Sequence, residues 1–213
     1  MKKEGLELRS TDGLALEAEL WTPDDARAGF VFCHPHPQMG GTMNAPLLLA
    51  VTEELSKHRW AVLRFNFRGI GKSEGEASTG SAEVADAEGA VHFMRERLGD
   101  LPLAIAGWSF GAAVATRVAI ADDQLAALVA IAPAVKPKPG VTDGLPPADE
   151  VELRVPTLIV CAANDELVDV EDGRRWAETA LTEFYEMPGA NHFFWAKYDE
   201  LAKVIIEFLD AEV

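Results

Sequence analysis

Two stretches of the chain match Gly-x-Ser-x-Gly: Gly71-Lys72-Ser73-Glu74-Gly75 and Gly107-Trp108-Ser109-Phe110-Gly111. In acyl-transfer chemistry this pattern serves a sharp turn from strand to helix. The turn holds the serine in a strained conformation, and small neighbours keep it from clashing. Ser109 follows the apolar run Leu103-Ala104-Ile105-Ala106 and precedes Ala112-Ala113-Val114-Ala115-Thr116, a strand feeding directly into an alanine-rich helix. Ser73 is followed by Glu74-Gly75-Glu76-Ala77-Ser78-Thr79-Gly80, polar and flexible, and reads as a loop serine. The expected nucleophile is therefore Ser109.

A serine hydroxyl attacks poorly until an imidazole can take its proton. Five histidines are available: His34, His36, His58, His92 and His192. On a parallel sheet that carries such a serine, the order along the chain is serine, carboxylate, histidine, each on a loop at the same strand ends. Only His192 follows everything else. It sits in the turn-rich Pro188-Gly189-Ala190-Asn191-His192-Phe193-Phe194, after the last apparent strand, Thr182 to Met187, whereas His58 and His92 read as helix-surface residues. The carboxylates after the preceding apolar run are Asp165, Glu166, Asp169 and Asp172. Asp165 is nearest the strand end and is the expected partner of the histidine Nδ1–H, with Asp169 as the alternative.

The tetrahedral oxyanion formed on attack needs two backbone donors. Phe110 N–H, next to the nucleophile and at the positive end of a helix, is the first. The second is expected from the loop His34-Pro35-His36-Pro37-Gln38-Met39-Gly40-Gly41. Pro35 and Pro37 lack an N–H, which leaves His36, with Gln38 as the next possibility. The same loop places two histidines close together, but a zinc site wants a third ligand at suitable spacing and none is apparent, so neither metal nor cofactor is expected. Arg64 and Arg68, in Arg64-Phe65-Asn66-Phe67-Arg68-Gly69, are read as loop ties in preference to ligands for a substrate carboxylate.

These residues must be positioned by a regular frame. Leu6 to Arg9 and Leu14 to Trp21 flank Thr11-Asp12-Gly13, a hairpin signal. Short apolar runs follow at Phe30 to Cys33, Ala61 to Phe67, Leu103 to Ala106, Leu128 to Ile131 and Pro156 to Ala162. Helical stretches alternate with them: Asn44 to His58, Ser81 to Leu98, Phe110 to Ala121, Glu171 to Leu181 and Lys197 to Leu209. Such alternation predicts an α/β fold: a mostly parallel sheet with helices on both faces, an antiparallel pair at its start, and ligands at the carboxyl ends of the strands. Lys136 to Leu153, with four prolines and two glycines, breaks the rhythm and reads as a loop or small lid.

The length of 213 residues suits one domain, expected over residues 1–213. Hydrophobic residues make up 48% and charged residues 25%, as in soluble globular proteins. A net charge of −16 repels phosphate backbones and anionic membranes, so the expected partner is a small molecule, neither nucleic acid nor membrane. With no apolar leader near the start and with Cys33 and Cys161 in buried-looking runs, the expected location is cytoplasmic.

The HPHP loop, RFNFRGIGKSEG, GWSFG, the AND segment and the GANHFF segment occur in the order found in the α/β-hydrolase superfamily, and the chain resembles it over nearly its whole length. It is similar to the small single-domain bacterial serine hydrolases near the dienelactone-hydrolase branch. Two differences qualify that likeness: the elbow carries serine where dienelactone hydrolases use cysteine, and HPHP replaces the glycine-rich HGGG of many lipases and esterases. The resemblance implies an α/β-hydrolase fold with a minimal lid in place of a cap domain. It implies a cofactor-independent serine esterase with Ser109, Asp165 and His192 as the triad. A thioesterase is the near alternative, a small peptidase a more distant one, and an idle ligand-binding protein on the same fold the non-enzyme alternative. Trp108, Phe110, Met39, Phe193, Phe194 and Trp195 lie on or beside the site loops, and each is open between lining an acyl pocket and plain core packing.

Overall fold

The computed structural model describes residues 1–213, Gln38 by its backbone alone. Eight strands, β1 (Lys2–Arg9), β2 (Ala15–Thr22), β3 (Ala28–Cys33), β4 (Trp60–Phe65), β5 (Leu103–Trp108), β6 (Ala127–Ile131), β7 (Thr157–Ala162) and β8 (Glu183–Met187), form one sheet in the order β1-β2-β4-β3-β5-β6-β7-β8. β1 and β2 form the antiparallel hairpin, and β2 joins the remainder antiparallel to β4. From β4 outward to β8 all pairings are parallel. Five helices connect them: α1 (Pro46–Lys57), α2 (Glu83–Leu98), α3 (Phe110–Ala121), α4 (Val170–Thr179) and α5 (Tyr198–Glu212).

The central strands β3 to β7 are buried at every position, which is why they read as apolar runs, with Arg64 of β4 the one charged residue among them. Their two faces separate with a period of two. Phe30, Phe32, Val62, Ala104, Ala106, Val129, Leu158 and Val160 pack with α1 and α5 through Leu47, Leu48, Val51, Leu201 and Ile205. Val31, Cys33, Leu63, Phe65, Ile105 and Leu128 face α2 and α3 through Ala87, Ala90, Val91, Met94, Val114 and Val118. Ile159 and Cys161 face α4 and the start of α3. Both thiols are buried, as expected. Among the described residues no helix is long and apolar enough to cross a membrane.

Element ends moved where tertiary contacts outweigh local signals. β5 runs two residues past Ala106 because Gly107 and Trp108 still pair with Ala130 and Ile131 of β6. β4 stops at Phe65, two residues short of the predicted end: Asn66 keeps one main-chain bond to β2, N–H to Glu17 O at 2.8 Å, while its Nδ2 donates to the Glu17 carboxylate and its Oδ1 accepts Met43 N–H at 2.8 Å. α1 begins at Pro46, where a missing N–H costs a helix nothing.

The arginines act as loop ties. Arg64, with no exposed side-chain surface, donates to Met43 O and pairs with Glu19. Arg68 grips the fully buried Asp86 at 2.7 Å and reaches Asp12 at 3.0 Å, joining α2 to the β1–β2 turn. Burial pushes the Asp86 carboxyl above its usual range even with Arg68 beside it.

His34 fastens the end of β3 to the segment after β4. Its Nε2 accepts Phe67 N–H at 3.1 Å and its Nδ1 lies 2.7 Å from Pro35 O, so the ring is neutral with the proton on Nδ1. Burial pushes its pKa down to about 4. The unfolded chain therefore takes up a proton near pH 6.5 that the folded chain refuses until about pH 4, so His34 lowers stability as pH falls through that window, by about 3 kcal/mol in total. Urea unfolding at pH 7 and pH 4 should show a steeper loss of stability in the wild type than in His34→Gln; equal losses would exclude this role.

Candidate active site

Each residue expected to do chemistry sits just beyond the carboxyl end of a parallel strand. Ser109 follows β5 and precedes α3 directly, with φ 56° and ψ −111°. A non-glycine residue in this region costs about 1–3 kcal/mol, which the surroundings must hold in place. They do so with main-chain bonds: Ser109 N–H donates to Ile131 O at 2.8 Å, and Ser109 O accepts Ala112 N–H at 3.1 Å. The turn also requires its two glycines. A Cβ on Gly107 would overlap the Gly111 carbonyl, and one on Gly111 would overlap the carbonyls of Cys33 and His34, so helix α3 lies against the end of β3.

His192 stands on the loop between β8 and α5. Its Nδ1 is 2.8 Å from Asp165 Oδ2, and the two side chains are only 5% and 1% exposed. A carboxylate accepts, so the ring proton lies on Nδ1 and Nε2 is the basic nitrogen of the neutral imidazole. Asp165 Oδ1 accepts the N–H groups of Leu167 and Val168, both at 2.9 Å, which fixes the carboxylate before the histidine meets it. The two loops are joined by Asn164 N–H to Ala190 O at 2.8 Å, and the histidine loop is tied to β5 by Trp108 Nε1–H to His192 O at 3.1 Å.

Ser109 and His192 line one cavity of about 650 Å³. Ser109 Oγ itself makes no hydrogen bond among the described residues, and contacts of this kind often tighten only with substrate in place. Phe110 N–H is one of the orphan donors at the start of α3, and it meets no acceptor among the described residues. His36 stands across from it: the two rings meet edge to face at 5.1 Å, and His36 Nε2 lies 2.7 Å from Val141 O. Pro35, His36, Met39 and Phe110 all border the cavity. Gln38 lies in a short 3-10 turn, Pro37–Met39.

The alternatives part from this arrangement. Ser73 Oγ donates to Asn66 O at 2.7 Å and accepts Glu17 N–H at 3.0 Å, a hydroxyl that fastens a loop. Asp169 caps α4 by accepting Glu171 N–H, and Asp172 pairs with Lys136 at 2.6 Å and Arg175 at 2.8 Å, which hold its carboxyl below the usual range. His34 spends both ring nitrogens on backbone groups.

The apolar residues of the site loops divide. Trp108, Phe110, Met39 and Phe193 line the cavity, and Phe194 is fully buried core. Trp195 projects outward, 64% exposed, and stacks on Phe193 at 5.0 Å. The proline-rich stretch after β6 is a wall of the cavity, contributing Val135, Lys136, Lys138, Val141 and Thr142, and its Pro146 O accepts Trp176 Nε1–H at 2.8 Å. The stretch read from the sequence as a loop or small lid does border the site, whereas sequence reasoning missed Leu167 and Val168. The Asp165-Glu166-Leu167 turn was the available signal, since an aspartate there can bond the backbone two residues on.

Comparison with known proteins places the fold. The family described as serine aminopeptidase, S33, matches residues 25–153, more than half of the chain. The chain belongs to that family. The matched span holds Ser109 and the His36 loop and stops before Asp165 and His192. The fold is that of an α/β serine hydrolase homologue from Coxiella burnetii, 29% identical with a TM-score of 0.85 over 97% of both chains. An α/β serine hydrolase without lid from Xanthomonas campestris is 26% identical, with a TM-score of 0.86 over 99% of this chain and 95% of that one. An uncharacterized protein of Rickettsia prowazekii is 29% identical over 185 residues, 83% of this chain and 76% of the relative. The protein is thus an α/β hydrolase, as its sequence resemblance implied.

In this α/β hydrolase α3 passes the end of β3 with no room for a Cβ at Gly111. Gly111→Ala should push the helix start away from the end of β3, costing about 1–3 kcal/mol of stability. It should also lower the labelling rate of Ser109 by an active-site serine probe. Thermal unfolding and labelling kinetics check both, and an unchanged labelling rate would show that the contact does not position Ser109.

Proposed function

We propose that the protein is a serine hydrolase that cleaves small carboxylic esters. Ser109 is the nucleophile, His192 the general base and then acid, and Asp165 the orienting carboxylate. The single observation that carries this reading is the buried 2.8 Å bond from His192 to Asp165, on a histidine that shares a cavity with a strained serine at a helix start. In the proposed reaction Ser109 Oγ bonds to the ester carbonyl carbon while its proton passes to His192 Nε2. Asp165 stabilises the resulting imidazolium. The oxyanion is held by Phe110 N–H and His36 N–H. His192 then gives the proton to the departing alcohol, leaving an acyl-serine, and a water deprotonated by His192 releases the acid.

The family's description names an aminopeptidase, so peptide hydrolysis is the second reading. An aminopeptidase must bind a substrate ammonium group. The cavity carboxylates Asp169 and Asp172 are engaged in a helix cap and in pairs with Lys136 and Arg175, which favours the ester. Thioesters need the same machinery as esters. A ligand-binding protein without turnover would have no use for the strain at Ser109.

A fluorophosphonate should label Ser109, and kcat on short-chain esters should fall by roughly 10³-fold or more in Ser109→Ala and on the order of 10⁴-fold in Asp165→Asn. Matched ester, thioester and aminoacyl anilide substrates rank the bond classes. Labelling with turnover of the anilide alone would replace the esterase by the peptidase. No labelling of folded protein would remove the triad.

A further inference from the structure

Trp195 is a large apolar side chain that the fold leaves in water beside the site. It follows Phe194, which is fully buried, and both Phe194 (φ 52°) and Ala196 (φ 58°) adopt the left-handed backbone that residues with a Cβ avoid. This backbone sends Phe194 into the core and Trp195 outward. Asn191 Oδ1 accepts Trp195 N–H at 3.3 Å and holds the loop in that form. One face of the indole lies on Phe193, with planes 16° apart, and the other meets no aromatic ring or cation of the described residues. Phe193 in turn lines the cavity and meets the His192 ring edge-on at 5.6 Å. A continuous aromatic shelf therefore runs from the proposed general acid to solvent.

The chemistry decides which part of a substrate meets that shelf. His192 must hand its proton to the departing alcohol oxygen, so that oxygen lies beside His192 Nε2, and the group it carries leaves the cavity on the histidine side. The carbonyl oxygen lies instead between the Phe110 and His36 amides. We infer that Phe193 and Trp195 form an alcohol-side subsite for an aryl or comparably flat apolar group, with Trp195 a specificity-determining residue. This inference rests on the esterase reading above. Trp195 is exposed, so its replacement leaves the core intact.

The test uses three esters: ethyl acetate, 2-naphthylmethyl acetate with the ring on the alcohol, and ethyl 2-naphthylacetate with the ring on the acyl group. In Trp195→Ala the ratio of kcat/KM for 2-naphthylmethyl acetate to that for ethyl acetate should fall about tenfold, through KM. The ratio for the acyl-side ester should move less than twofold, and Trp195→Phe should restore most of the alcohol-side preference. Equal changes in both ratios, or a change confined to the acyl-side ester, would overturn the assignment. Equilibrium dialysis of 2-naphthylmethanol reads the subsite without turnover. Weaker binding by Trp195→Ala than by wild type supports it even if no ester is cleaved, a result that would remove the esterase reading alone. Equal binding would overturn the subsite even if esters are cleaved.

Discussion

The close approach of helix α3 to the ends of β3 and β5 is the constraint on which the rest of the site depends. Only glycine at 107 and 111 lets these backbones pass, and the passage forces Ser109 into a left-handed turn that its own covalent structure disfavours. The chain repays that strain with packing. β5 is central, buried on both faces, and α3 buries most of its length against the sheet. A strained serine is affordable here because the elements on either side of it have no other place to go.

The same edge of the sheet brings together loops that are distant in sequence. The β7 and β8 loops are joined by main-chain bonds before their side chains meet, so the Asp165–His192 contact closes a frame that already exists. Two backbone amides hold one carboxylate oxygen and the imidazole takes the other. A carboxylate satisfied in this way is a stable buried acceptor, which removes much of the cost of burying it. On the other side of the cavity His36 is braced by Val141 and Phe110, so the loop after β3 and the proline-rich wall support one another.

The buried charges away from the site serve this frame. Arg64, on β4 itself, ties that strand to Glu19 of β2 and to Met43, and Arg68, just after β4, ties its segment to the β1–β2 turn and α2. Their positions beside the candidate site invite a substrate role, but Arg64 has no exposed side-chain surface and its terminal nitrogens bond Glu19 and Met43, while Arg68 is held by Asp86 and Asp12. His34 is similar: two residues from His36 and in a loop of the site, it is neutral, buried and structural.

The order of apolar runs and helical stretches determined the fold class, because a buried parallel strand and an amphipathic helix each leave a local periodic mark. Local context also separated Ser109 from Ser73, since only one is followed by residues able to continue as a helix. Chain order pointed to His192 and Asp165, because loops at one sheet edge are traversed in sequence. What the sequence could not decide are matters of contact at a distance. Gly107 reads as a turn yet extends β5, since its pairing partner is on another strand. Asp169 and Asp165 have similar local surroundings, and only the position of His192 assigns one to the imidazole and the other to a helix cap. The aromatic residues after His192 look alike in the chain. Tertiary structure sends Phe193 to the cavity, Phe194 to the core and Trp195 to solvent, because the backbone between them takes a left-handed form that no local pattern announces.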